Sequence, residues 1–208
     1  MRFAALLALL LCLSAQDAFA GRGELPGPKS DITVFRVPTG LFVISNDPLR
    51  WYTMRLEGHE VDPGKSSSTY VVDGKPLQVL VPPAPKDPAG FDDATRRLIV
   101  FRDQLAANIS KQLKFQIYPN STPLTFSDGR QGMWINIELP NGAAPPRSRW
   151  YLAKITDQDW LMLLGSGTTV GETPDSVRNF MLRVMESTKV YAQPIDIEAL
   201  KKALLPKK

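Results

Sequence analysis

Between Gly132 and Leu139 apolar and polar positions alternate. Met133, Ile135, Ile137 and Leu139 fall on one face of a strand, and Trp134, Asn136 and Glu138 on the other. RWYLAKI (149–155) and DWLMLLGSG (159–167) flank Thr156-Asp157-Gln158, a plausible hairpin connection, and WLMLL is apolar on both faces, which predicts a central strand. Upstream, ITVFRV (32–37), LFVIS (41–45) and WYTMRLE (51–57) are rich in β-branched and aromatic residues and predict three further strands. STYVV and KPLQVLV meet at Asp73-Gly74, a dipeptide suited to a type I′ hairpin turn because glycine tolerates the positive φ required there. Pro76 has no N–H to give and belongs at a strand margin or an edge. KFQIY (114–118), ending at Pro119, completes the expected strands.

The period changes from two to between three and four at Phe91. Phe91, Ala94, Leu98, Phe101, Leu105, Ile109 and Leu113 form one apolar stripe, with Arg96, Arg97, Arg102, Asp103 and Lys111 mainly off it. Asp92 or Asp93 supplies the N-cap oxygen, and the resulting helix, ~30 Å long, is long enough to cross a sheet. A second helix opens at Thr173-Pro174, with Thr as cap and Pro at the first helical position, and turns Val177, Phe180, Met181, Val184 and Thr188 inward. A weaker helical pattern covers 196–205. VPPAPKDPAG (81–90) carries four prolines and is a stiff connector. Helices separated by runs of strands predict an α+β fold, a mostly antiparallel sheet flanked by helices in one domain.

The first twenty residues obey different rules. Arg2 precedes an apolar run from Phe3 to Leu13, too short to span a bilayer, and Ala18-Phe19-Ala20 offers the A-x-A pattern of a signal-peptide cleavage site before Gly21. The expected organisation is a signal peptide at 1–20, a Gly- and Pro-containing lead-in at 21–30, an α+β domain at 31–190 and a helical basic tail at 191–208. Cys12, the only cysteine, lies in the leader, and Leu11 before it argues against a lipid anchor. A mature chain without cysteine excludes thiol chemistry and suits a bacterial periplasm better than a disulfide-rich extracellular space. The formal net charge of +4 is dispersed, with one local cluster at Lys201, Lys202, Lys207 and Lys208, and gives no basic stripe for nucleic acid.

Candidate chemistry is sparse. His59 is the only histidine, and the nearby Ser66, Ser67 and Ser68 sit in a polar, turn-prone stretch that is a poor place to hold a nucleophile. Glu57, His59, Glu60 and Asp62 offer one nitrogen and three carboxylates, a set that fits neither a zinc site nor a calcium loop, so neither a metal nor a cofactor is expected. GSGTTVGETP (165–174) leads into a helix N-terminus, a place that attracts anions, yet lacks the Lys-Ser/Thr ending of a phosphate loop. Trp51-Tyr52 and Trp150-Tyr151 put one aromatic on each sheet face, and Trp134 lies on a neighbouring strand. Trp134, Trp150 and Tyr151, with the helix arginines Arg96 and Arg97, are the candidate binding residues.

The order of these elements resembles the α/β/α sandwich of the PsbP-like superfamily, which includes photosystem II extrinsic subunits, Ran-binding relatives and bacterial envelope members. The resemblance lies in FDDATRRLIVFRDQL, in the paired strands RWYLAKI and DWLMLLGSG, and in the closing TPDSVRNFMLRVMEST, over roughly 31–190. It implies a non-catalytic accessory or binding module and transfers no functional residue. The expectation is an exported accessory protein of the bacterial cell envelope that acts through contacts with an envelope protein partner. The alternatives are a small-ligand carrier, with a pocket between sheet and long helix near Trp134 and Trp150, and a hydrolase using His59 or a carboxylate pair.

Overall fold

Asp73 and Gly74 both hold positive φ, 50° and 76°, so the chain reverses there in the two-residue turn its sequence demands. The computed structural model describes residues 32–37, 40–47, 50–56, 61–63, 69–90, 93–139, 148–156, 159–167 and 173–204. In chain order the elements are β1 (Ile32–Val37), β2 (Gly40–Asp47), β3 (Arg50–Arg55), β4 (Val61–Pro63), β5 (Thr69–Val72), β6 (Lys75–Leu80), α1 (Ala94–Leu113), β7 (Asn120–Thr125), β8 (Gln131–Glu138), β9 (Ser148–Ile155), β10 (Leu161–Gly167), α2 (Pro174–Ser187), β11 (Lys189–Tyr191) and α3 (Ile197–Leu204). They form a four-stranded sheet in the order β1-β2-β3-β11 and a seven-stranded sheet in the order β4-β5-β6-β10-β9-β8-β7, and every pairing between these strands is antiparallel. The fold is α+β, and β10 sits mid-sheet, as its two-faced apolar sequence predicts.

Strand parity divides the core in two. Met133, Ile135, Ile137, Tyr151, Ala153, Leu161 and Leu163 face α1, which answers with Leu98, Phe101, Leu105 and Ile109. Trp134, Leu152, Met162 and Leu164 face the other way, against Val177, Met181, Val184 and Met185 of α2 and Tyr52 and Met54 of β3. Each fully buried aliphatic side chain contributes about 1.5–3 kcal/mol from its removal from water. The hydroxyls of Tyr52 and Tyr70 meet at 2.6 Å and join the two sheets inside the second core. Both main helices carry the caps their sequences offer. Asp93 accepts from the Arg96 N–H at 2.7 Å, and Thr173 accepts from the Ser176 N–H at 3.2 Å.

Three features depart from the sequence pattern. KFQIY is not a strand. Lys114 turns left-handed (φ 52°) to end α1, and the Ile117 N–H donates to Ser110 Oγ at 2.8 Å, so the segment caps the helix and leads away from it. The strand comes later as β7, whose polar NSTPLT with Pro123 is tolerated because β7 is an edge. The N-terminal strands form a sheet of their own, closed by β11, a three-residue strand too short for periodicity to reveal.

The β7–β8 hairpin contains one tight contact. A Cβ placed on Gly132 would lie 2.3 Å from Phe126 Cε2 and 3.0 Å from the Ala153 carbonyl oxygen. Gly132→Ala is expected to cost about 1–3 kcal/mol in urea unfolding through overpacking. Adding Phe126→Leu to Gly132→Ala should recover part of that loss, whereas strictly additive effects would place the strain elsewhere.

Candidate functional site

Trp134 on β8 and Trp150 on β9 are diagonal neighbours, because Trp134 pairs with Leu152 and Asn136 with Trp150. Their rings stack with centroids 5.2 Å apart and planes 26° from parallel. Both belong to the face shared with α2 and β3, not the face under the long helix α1. The pocket expected between sheet and long helix near these two tryptophans is therefore misplaced. Their parity is that of Leu152, and α1 covers the opposite parity. The Trp150 indole N–H is buried with no acceptor.

Next to the stack the β7–β8 turn builds a charge cluster. Lys154, buried on β9, lies over the Phe126 ring at 4.5 Å and donates to Asp128 at 2.7 Å, while Arg130 reaches the same carboxylate oxygen at 3.0 Å. Burial disfavours the charged Asp128 carboxylate, but the Lys154 hydrogen bond, the Arg130 N–H and the two cations outweigh it and hold its pKa below the ordinary value.

Tyr151 lies on the other face and is fully buried under α1's core, so it offers no surface for contact. Its ring lies over Gly165 of β10, where an added Cβ would sit 3.3 Å from two ring carbons. Burial raises the Tyr151 pKa above the ordinary phenol value, and the neighbouring Arg149 guanidinium pulls the other way. Arg149 is itself only 4% exposed. Its Nε and the Tyr151 hydroxyl are both sealed from solvent, and the guanidinium is the polar neighbour of that hydroxyl.

The two helix arginines separate. Arg97 is buried, at 7% exposure. It donates from Nε to the Pro85 carbonyl at 2.7 Å and forms an ion pair with Asp159, a residue held at φ 61°. It thus clamps the start of α1 to the proline-rich connector and to the turn before β10. The expectation that Arg97 belongs to an exposed binding face is corrected, for a physical reason. Consecutive helix residues lie about 100° apart, and here that step turns Arg97 toward Pro85 and Asp159 and Arg96 away from them. Arg96 is the outward one, half exposed and paired with Asp87 at 2.8 Å.

The sequence reading missed the exposed apolar group at the end of α1. Leu113 is partly exposed, Phe115 is 50% exposed and Tyr118 is 81% exposed, beside the exposed Lys111 and Lys114. A signal existed in KFQIYPN, apolar yet bounded by a helix end and a proline, but it reads as a strand. A groove of about 370 Å³ also lies between β3 and α2, lined by Arg55, Leu56, Phe180, Arg183 and Ser187 among others. Glu57, His59, Glu60, Ser66–Ser68, the leader, the lead-in and Lys207-Lys208 fall outside the described residues, as do 168–172 of the glycine-containing stretch. Among the described residues no three potential metal ligands gather, and no helix is long and apolar enough to cross a membrane.

No family model matches the chain, and no curated protein matches it. Among solved structures it is similar to the cyanobacterial PsbP (CyanoP) from Synechocystis sp. PCC 6803. The two are 15% identical, and the match covers 83% of this chain and 99% of that one with a TM-score of 0.47.

Arg97→Met should cost about 1–3 kcal/mol in thermal or urea unfolding, since it leaves the Pro85 carbonyl unpaired, whereas Arg96→Gln should stay within about 1 kcal/mol. Equal effects would show that Arg97 is not a clamp. For Asp128 the depressed folded pKa fixes the sign. Its stabilisation is full above the ordinary carboxylate value and is lost as pH falls through the lowered one. The stability gap between wild type and Asp128→Asn should hold between about pH 7 and 5 and close below about pH 4. A gap unchanged at low pH would exclude the ion cluster as its source.

Proposed function

We propose that this protein is an exported, non-catalytic accessory protein of the bacterial cell envelope that works by binding another protein. The observation that carries the reading is the Leu113, Phe115 and Tyr118 group, apolar surface left outside the core at the junction of α1 and the edge strand β7. Aromatic side chains are enriched at the centres of protein interfaces, and adjacent lysines favour a partner whose apolar contact is rimmed by acidic groups. The A-x-A leader supports export to the periplasm, with Gly21 as the mature N-terminus. The arginine and lysine with the most developed contacts, Arg97 and Lys154, are occupied in holding the fold. That leaves the aromatic group as the more economical contact surface.

A second reading, a small-ligand carrier, is favoured by one observation. The buried Trp150 N–H lacks an acceptor beside a stacked tryptophan, a pairing that a ligand oxygen would complete.

A photo-crosslinking residue placed at Tyr118 should give a discrete protein adduct in the producing cells, and the same residue at Lys189 on β11 should not. Phe115→Asp should abolish the Tyr118 adduct while leaving the unfolding midpoint within about 0.5 kcal/mol of wild type, as for an exposed position. Adducts of equal yield from both positions, or none from Tyr118, would remove this surface as the docking site.

A further inference from the structure

β7 is the outermost strand beside the aromatic group at the end of α1, and an outermost strand offers unpaired backbone N–H and C=O groups to any extended chain. Which residues make that offer follows from the turn between β7 and β8. The Phe126 N–H donates to the Arg130 carbonyl at 2.9 Å, so the backbone of Phe126 faces β8. That direction alternates along an antiparallel strand. The register runs without a break from Thr125 opposite Gln131 to Asn120 opposite Asn136. The backbone groups of Leu124, Thr122 and Asn120 therefore face β8, and those of Ser121, Pro123 and Thr125 face away from the sheet. Thr122, Pro123 and Thr125 are all exposed. Pro123 thus stands at the centre of the open edge, its nitrogen pointing outward with no hydrogen to give. β8 loses no bond to it, and an incoming strand loses the central one.

A strand added to this edge, whether a partner's or β7 of a second copy, needs outward donors at Ser121, Pro123 and Thr125 in turn. In the symmetric antiparallel pairing of two copies Pro123 meets Pro123, and both central bonds are missing. Proline on an edge is one of the ways a sheet avoids pairing with other chains. The aromatic group is built for the opposite purpose, presentation. Lys114 ends α1 in the left-handed region, the Phe115 N–H returns to the Ser110 carbonyl at 3.2 Å and the Ile117 N–H to Ser110 Oγ at 2.8 Å. Ile117, only 2% exposed, is packed into the core under α1 and pins the segment between the two outward aromatics, Phe115 and Tyr118. Side chains held in place before a partner arrives lose less freedom on binding.

Resting on the reading of Leu113, Phe115 and Tyr118 as the contact surface, we propose that Pro123 closes the β7 edge to strand addition, and that the partner engages this surface through side chains alone. The partner is then a folded protein that offers a pocket for an aromatic ring and an acidic rim for Lys111 and Lys114, not an extended segment that joins the sheet. The same proline keeps two copies of the chain from pairing through β7.

Two measurements test the two halves of the proposal. Pro123→Thr restores an outward N–H without touching the bonds to β8, so light scattering on the purified protein should show twice the wild-type mass at equal concentration. Thr125→Pro added to Pro123→Thr removes another outward donor and should return the mass to that of wild type. Thr122→Pro, whose nitrogen faces β8, should instead lower the unfolding midpoint, which checks the assigned direction. The second measurement uses the photo-crosslinking residue at Tyr118 in the producing cells. Ser121→Pro blocks the edge a second time, and its adduct yield should equal that of Ser121→Ala, which also lacks the hydroxyl that accepts from Arg102 at 3.1 Å. Should Ser121→Pro fail to fold, Thr125→Pro takes its place against wild type. A Pro123→Thr mass equal to wild type overturns the closed edge. An adduct kept by Ser121→Ala and lost by Ser121→Pro overturns side-chain docking and points to strand addition. An adduct absent from wild type overturns the contact surface itself, and the mass comparison still decides the edge.

Discussion

The rest of this structure follows from β9 and β10 being buried on both faces. A strand of that kind cannot stand at an edge or face water on one side, so it takes the middle of a sheet, and the sheet needs two covers. One cover is α1, whose stripe of Leu98, Phe101, Leu105 and Ile109 fits the odd-numbered face of β9 and β10. The other is assembled from α2 and β3, joined where the Arg55 N–H donates to Ser187 Oγ at 3.1 Å. The Tyr52–Tyr70 hydroxyl contact then fixes the small sheet to the large one from inside.

The same two-sided burial governs the charged side chains. Lys154 and Arg97 are both on core elements, and each is tolerated because the chain brings an acceptor to it, Asp128 in one case and Asp159 with the Pro85 carbonyl in the other. Arg149 is equally buried, and the Tyr151 hydroxyl is its polar neighbour.

Function in such a domain depends on what is left outside the two cores. The helix–strand junction at Leu113–Tyr118 places aromatic surface beside an edge strand, while the tryptophans that looked available are stacked within the second core or against it.

Much of the fold was legible in the sequence. Alternation in GMWINIEL, the two-faced run WLMLL, Asp73-Gly74, the stripe of α1 and the Thr-Pro cap of α2 are local signals, and each of these elements formed where its own residues demanded it. Local signals could not say that KFQIY would cap a helix instead of forming a strand, since that outcome depends on Ser110 reaching the Ile117 N–H. Nor could they find β11, whose three residues are a strand only because β3 leaves its edge open to them. The candidate site was less legible. The sequence picked out Arg97, Tyr151 and Trp134 by residue type, but accessibility is settled by the parity of a strand and the angle of a helix against a neighbour. The α+β class and the single cysteine, Cys12, are properties of the sequence alone. Which arginine is clamped, which points outward and which aromatics meet the solvent were decided only when the sheet received its second cover.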